Sequence, residues 1–100
     1  MADLVNAVTA LQQGGQAAVA QPLKNLAERV LGCDLLPLTR HEIIENLVFI
    51  AQQAQMLPEK RRRGVVKAAL LFLKQSMQPV EPLQDAWHTH GRALESFFHF

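Results

Sequence analysis

A cluster of positive charge is the clearest chemical feature of this 100-residue sequence. Six of its ten basic residues lie within fifteen positions that hold no acid, and these are Lys60, Arg61, Arg62, Arg63, Lys67 and Lys74. Such a basic run is typical of a solvated surface that keeps a domain in solution. It precedes a predicted helix, however, and the macrodipole disfavours cations at a helix N-terminus.

An anionic partner would relieve that unfavourable interaction. An acidic protein surface, a nucleic-acid backbone and anionic lipid are the three candidates. No aromatic residue interleaves with residues 60–63, and this argues against recognition of nucleic acid by base stacking. The basic run therefore predicts either simple solvation or the steering of an anionic partner.

The histidines and the single cysteine do not form a recognisable active site. His88 and His90 are two positions apart in a predicted helix, so they point to different faces and cannot share a metal. His90 falls on the apolar face, which is typical of a core or interface histidine. Cys33 is the only cysteine, which excludes an intrachain disulfide and favours an ordinary buried or half-buried thiol. With no nucleophile beside a base, we expect no enzyme, no catalytic residue, no metal and no cofactor.

The composition is that of one small helical domain spanning residues 1–100. Hydrophobic residues make up 49% and charged residues 19%, and the formal net charge is +1. Alanine, leucine and glutamine are abundant, and these residues favour helices. The start of the chain lacks a basic segment, and the longest apolar stretch, residues 68–73, is too short to span a membrane. We expect no signal peptide, no membrane span and a cytoplasmic location.

Apolar periodicity predicts two helices before residue 33. The first covers residues 3–12, and Gly14 and Gly15 then break or bend the chain. The second covers residues 22–31, with Pro22 in its first turn and Gly32 as the C′ residue that closes it. An alternative is that residues 16–21 are also helical and that Pro22 only kinks the helix.

Three further helices follow a connector at residues 33–38. The leucines of this connector, at positions 35, 36 and 38, are expected to pack. The sequence Thr39–Glu42 matches a capping box and predicts a helix that ends near Gln55. The last two helices are predicted at residues 65–77 and 83–98. The aromatic tail at residues 97–100 should pack on the bundle or on a partner, because three aromatic rings would not remain in water.

These elements predict an all-α fold, a compact and mostly antiparallel bundle of four or five helices. The predicted core consists of Leu26, Val30, Ile43, Leu47, Ile50, Val66, Leu70, Leu73, Trp87, Leu94 and Phe98. Gly91 lies beside the apolar face of the last helix and would permit close approach of another helix.

Two large apolar residues fall outside the apolar arcs of their helices. Phe49 and Leu71 suggest a second apolar edge that packs on another protein or on another copy of the chain. The alternative is that the bundle encloses its helices more completely than a surface-helix pattern assumes.

Residues 45–98 resemble a helical tail found in bacterial multi-domain proteins, some of which look like conflict or defence systems. The similar segments are residues 45–47, 57–61 and 64–68, followed by Trp87, Gly91 and the closing pair Phe97–Phe98. This resemblance implies an interaction or assembly module from a bacterium and no catalytic activity.

The sequence therefore predicts a non-enzymatic protein–protein interaction or self-assembly module that forms homo-oligomers or binds a protein partner. Phe49 and Leu71 would form the contact, and residues 60–63 with Lys67 would steer an acidic partner. The alternative is a small helical subunit that binds nucleic-acid backbone through the basic residues of positions 60–67.

Overall fold

Apolar side chains at helical spacing form five helical segments in the computed structural model, which describes residues 2–100. The first four are α1 (Ala2–Gln13), α2 (Ala17–Leu31), α3 (Pro37–Gln55) and α4 (Arg63–Met77). The fifth is a continuous C-terminal segment made of α5 (Glu81–Ala86), a π-helical stretch (Trp87–Gly91) and α6 (Arg92–Phe97). A 3-10 turn, Pro58–Lys60, lies between α3 and α4. The all-α bundle predicted from the sequence is confirmed.

Helix α2 lies at the centre of the bundle. It packs against α1, α3 and the C-terminal segment, while α4 packs on α3 and on the C-terminal segment. The core forms where their apolar faces meet. All eleven predicted core residues are buried, and these are Leu26, Val30, Ile43, Leu47, Ile50, Val66, Leu70, Leu73, Trp87, Leu94 and Phe98.

Helices α1 and α2 are separate, and α2 begins earlier than Pro22. Gly15 has φ +79°, and the N–H of Gln16 donates to the Leu11 carbonyl at 2.8 Å, as in a Schellman motif. Pro22 is buried inside α2. The alternative in which the residues before Pro22 are also helical is therefore correct, and the helix begins at Ala17. Burial of the proline ring offsets the backbone hydrogen bond that proline cannot donate. Gly32 follows α2 as predicted, but with φ −81° it adopts a conformation open to any residue.

The predicted capping box at Thr39–Glu42 is wrong. Helix α3 begins at Pro37, with Leu36 as its N-cap and no side-chain cap, and the N–H of Arg40 donates to the Leu36 carbonyl at 3.0 Å. Pro37 accounts for the earlier start, because its fixed φ suits the first helical position and it has no N–H to leave unpaired.

The prediction that the connector leucines pack is also wrong for two of the three. Leu36 is 75% exposed and Leu38 is 69% exposed, and only Leu35 packs against the core. Because α3 starts at Pro37, Leu38 lies on the outer side of the first turn instead of in a loop that could fold inward. Arg40 holds the connector by donating from Nη2 to the carbonyls of Cys33 and Leu35 at 3.2 and 3.4 Å.

The prediction that the aromatic tail packs on the bundle is confirmed for Phe97 and Phe98, whereas Phe100 is 39% exposed. Phe98 is 2% exposed, and its ring meets that of Phe97 edge-on at 5.0 Å. The N–H groups of His99 and Phe100 donate to the carbonyls of Ser96 and Glu95, at 3.1 and 2.8 Å. This is a second Schellman motif, in which His99 occupies the left-handed position with φ 64°.

Replacing His99 with glycine is expected to raise the free energy of unfolding by about 0.5–1 kcal/mol, because glycine adopts a positive φ without steric cost. Chemical denaturation followed by circular dichroism measures the change. His99→Ala is the matched control, since it removes the same imidazole without the conformational freedom. Equal effects of glycine and alanine would show that the left-handed conformation is not what limits stability here.

Candidate interaction surface

Arg61 joins the end of α3 to the C-terminal aromatic residues. Its Nε donates to the Gln53 carbonyl at 3.0 Å, and its Nη2 donates to the Ala54 carbonyl at 3.1 Å. Carbonyls in the last turn of a helix have no partner within the helix, so these bonds cap α3. The guanidinium carbon also lies 4.9 Å from the ring centroid of Phe97 and 5.3 Å from that of Phe98.

Arg63 makes the equivalent contact at the end of α6. Its Nη1 donates to the Phe98 carbonyl at 2.8 Å and its Nη2 to the His99 carbonyl at 3.3 Å. The guanidinium carbon lies 4.7 Å from the centroid of the Phe100 ring. Arg63 therefore ties the start of α4 to the last residues of the chain.

These contacts change the interpretation of the basic run. The sequence places four cations where the dipole of α4 disfavours them, and suggests an anionic partner as relief. In the structure, Arg61 and Arg63 reach the C-terminal ends of two other helices, where the macrodipole favours cations. Both residues thus have a structural role within the chain.

Gln53 is a structural residue that the sequence analysis missed. It is 6% exposed, and its Oε1 accepts a hydrogen bond from the backbone N–H of Arg62 at 2.8 Å. This bond fixes the residue that precedes α4. The sequence does not reveal this role, because the partner of Gln53 is a backbone N–H nine residues later, which only the fold brings within reach.

The other cations of the basic run are exposed. Lys60 and Arg62 lie at the turn before α4, and Lys67 and Lys74 lie on α4 itself. The two lysines belong to an outward surface that we call the α4 face, defined by Val65, Lys67, Ala68, Leu71 and Lys74. Each of these residues is exposed, with Val65 at 49% and Leu71 at 53%. The alternative in which the bundle encloses Leu71 does not hold.

Phe49 and Leu71 do not share one edge. Phe49 is half-buried and lines a depression between α1 and α3, together with Ile44 and Val48. Leu71 lines a different depression, between α4 and the C-terminal segment. No residue lines both, so the single apolar edge expected from the sequence is wrong. The sequence pattern groups the two residues only because each lies outside the apolar arc of its own helix.

The polar residues near the α4 face are of mixed charge. Lys74, Asp85, His88, Arg92 and Glu95 line an open depression beside it. Within residues 2–100, no group of three histidine, cysteine, aspartate or glutamate side chains is placed to hold a metal ion. His90 and Cys33 are both half-buried, as the sequence predicted for the thiol.

Comparisons of the chain with protein-family models, with curated proteins and with solved structures gave no match. The resemblance of residues 45–98 to bacterial helical tails therefore stays a prediction. Within the part of the chain that the structure describes, no helix combines the length and the hydropathy needed to cross a membrane. The function is therefore inferred from the chemistry of the α4 face.

Proposed function

We propose that this chain is a non-enzymatic protein–protein interaction module and that the α4 face is its binding surface. The proposal rests on the residues that lie on the outward side of α4. Val65 and Leu71 leave about half of their surface in water there, and the charged residues of the helix on this side are two lysines, with Glu95 of the C-terminal segment at the edge. A helix whose inward side already supplies the core does not need apolar residues on its outward side, so they favour a partner.

The pattern of the α4 face indicates the chemistry of that partner. Lys67, Leu71 and Lys74 are spaced i−4, i and i+3, so they form one stripe along the helix. An amphipathic helix with an apolar stripe between carboxylates would fit this surface. Contact with Leu71 would supply affinity, and pairing of carboxylates with the lysines would supply orientation and faster association.

Binding of nucleic-acid backbone through residues 60–67 is the alternative. Lys60, Arg62 and Lys67 are exposed and would contact phosphates. We favour a protein partner because Arg61 and Arg63 already donate to carbonyls, which reduces the cations free for phosphate. The apolar exposure of Leu71 also has no use in binding a phosphate backbone. The resemblance of residues 45–98 and the single cysteine support a bacterial, cytoplasmic setting.

Two synthetic helical peptides with the same apolar stripe test the proposal, one flanked by glutamates and the other by lysines. Fluorescence anisotropy should show binding of the acidic peptide, and Leu71→Lys should weaken it by at least about tenfold, since burying an added cation is costly. Val5→Lys is the matched control. Val5 is 54% exposed but lies on α1, so this variant should bind like the natural chain.

Equal binding of the two peptides, or equal weakening by Val5→Lys, contradicts the proposed surface. Binding to a mixed-sequence DNA duplex tests the alternative function. Duplex binding that falls steeply with salt and is lost in Arg62→Ala, but is unchanged in Leu71→Ser, would favour nucleic-acid backbone instead.

A further inference from the structure

A second surface of the chain complements the α4 face. It is the depression between α1 and α3, which we call the α3 groove and define by Asp3, Ile44, Glu45, Val48 and Phe49. The three apolar side chains of this set are half-buried and pack against the core, so they form a fixed floor. The two carboxylates are exposed at its rim.

The electrostatic character of the groove is acidic. Glu45 makes an exposed pair with His41, whose Nε2 lies 2.8 Å from the Glu45 Oε1, and the side chains are 66% and 65% exposed for the histidine and the glutamate. An exposed pair of this kind is weak and solvent-screened, which leaves the glutamate free to exchange partners. No lysine or arginine lines the groove among the described residues.

We propose that the α4 face of one copy docks into the α3 groove of a second copy of this chain. The inference rests on the proposed function and names its partner. The two surfaces are complementary in charge, because lysines meet carboxylates, and each offers an apolar centre to the other. Leu71 would lie on the apolar floor formed by Ile44, Val48 and Phe49, while Lys67 and Lys74 face Asp3 and Glu45.

The placement of the two surfaces sets the form of the assembly. The α3 groove lies between α1 and α3, whereas the outward side of α4 borders the C-terminal segment. No residue lines both, so docking at one surface uses no lining residue of the other. When such a contact between two unlike surfaces is not reciprocated it is head-to-tail and repeats into a ring or a chain, whereas a two-fold dimer would seat each α4 face in the groove of the other copy. Phe49 and Leu71 are then opposite sides of one contact.

Two single substitutions test whether the contact joins two unlike surfaces. Leu71→Lys blocks the α4 face and leaves the groove, while Glu45→Lys blocks the groove and leaves the α4 face. The natural chain should grow in mass with concentration in sedimentation velocity, and each variant alone should remain a monomer. Their equimolar mixture should form a one-to-one dimer, because each variant contributes one intact surface and the two blocked surfaces both carry added lysine.

Circular dichroism melts establish that both variants are folded, which their exposed positions favour. If either variant is unfolded, Leu71→Ser removes the apolar contact of the α4 face and Asp3→Lys reverses a charge of the groove, both at exposed positions. Val5→Lys, elsewhere on α1, should assemble like the natural chain.

Three results would overturn self-docking: a natural chain that is monomeric at millimolar concentration, a mixture that stays monomeric, or dimers formed by either variant alone. The peptide experiment keeps this failure distinct from failure of the proposed function. A monomeric chain that still binds the acidic peptide through Leu71 refutes self-docking alone, whereas loss of both refutes both.

Discussion

Replacing Arg61 with alanine is expected to lower the free energy of unfolding by about 3 kcal/mol, since hydrogen bonds from a charged group contribute about 1.5–3 kcal/mol each. Its guanidinium donates to the carbonyls of Gln53 and Ala54 and lies over the rings of Phe97 and Phe98. The contacts together contribute less than their separate sum, because the side chain is only half-buried and water can reach the carbonyls. Urea denaturation followed by circular dichroism measures the loss.

Arg62→Ala is the matched control for Arg61→Ala. The side chain of Arg62 is exposed, and its backbone N–H would keep the bond to Gln53, so the change should stay within about 0.5 kcal/mol. Arg61→Lys should lose most of what alanine loses, because an ammonium group lacks the planar fork that reaches two carbonyls and stacks on a ring. Equal effects at positions 61 and 62 would mean that the run acts only through its charge.

The contrast between neighbouring arginines shows where sequence reasoning ends. Charge and helix position are local properties, so the basic run and the start of a helix near residue 65 could be predicted. The partners of Arg61 and Arg63 are backbone carbonyls, and every residue offers the same carbonyl. Only the fold decides which carbonyls lie within reach, so a pattern of side chains could not identify them.

The helices and the core could be predicted from the sequence because the signals that determine them are local. The end of α3 at Gln55 and the end of α4 at Met77 follow from apolar periodicity and nearby proline, both of which act over one or two turns. The start of α3 was missed because two local signals compete there, and Pro37 prevails over the cap that Thr39 offers. Where such signals conflict, the packing of the whole helix decides.

The candidate site was predictable in part. Leu71 remains exposed because its own helix directs it outward, which the sequence pattern contains. The surroundings of Phe49 depend on α1, a helix far earlier in the chain, and periodicity within α3 does not contain that information. Asp3 joins Glu45 at the rim of the groove only because the fold places α1 beside α3.

Gly91 has a different role from the one expected. The sequence suggests that it lets another helix approach, but a Cβ atom at this position would lie 2.5 Å from Cδ2 of the Trp87 ring. Both residues belong to the π-helical stretch and both are buried. The glycine therefore makes room for a ring of its own helix, four residues earlier, so that Trp87 can occupy the core.

Substitutions at both positions should be strongly coupled. Trp87→Ala is expected to cost about 3–5 kcal/mol, as for other large core aromatics. Gly91→Ala alone should cost about 1–3 kcal/mol, because the added methyl group displaces a rigid ring. In the Trp87→Ala chain the same change should instead stabilise by up to about 1 kcal/mol, since alanine favours a helix over glycine and the obstruction is gone.

Gly64→Ala is the control that isolates helix propensity from packing. Gly64 lies in the first turn of α4, and a Cβ there would meet nothing within 4 Å, so this change should stabilise the chain by a few tenths to about 1 kcal/mol. Thermal and urea unfolding of the four variants would give the coupling energy. If Gly91→Ala destabilises equally with and without the indole ring, then the backbone of the π-helical stretch, and not contact with Trp87, requires the glycine.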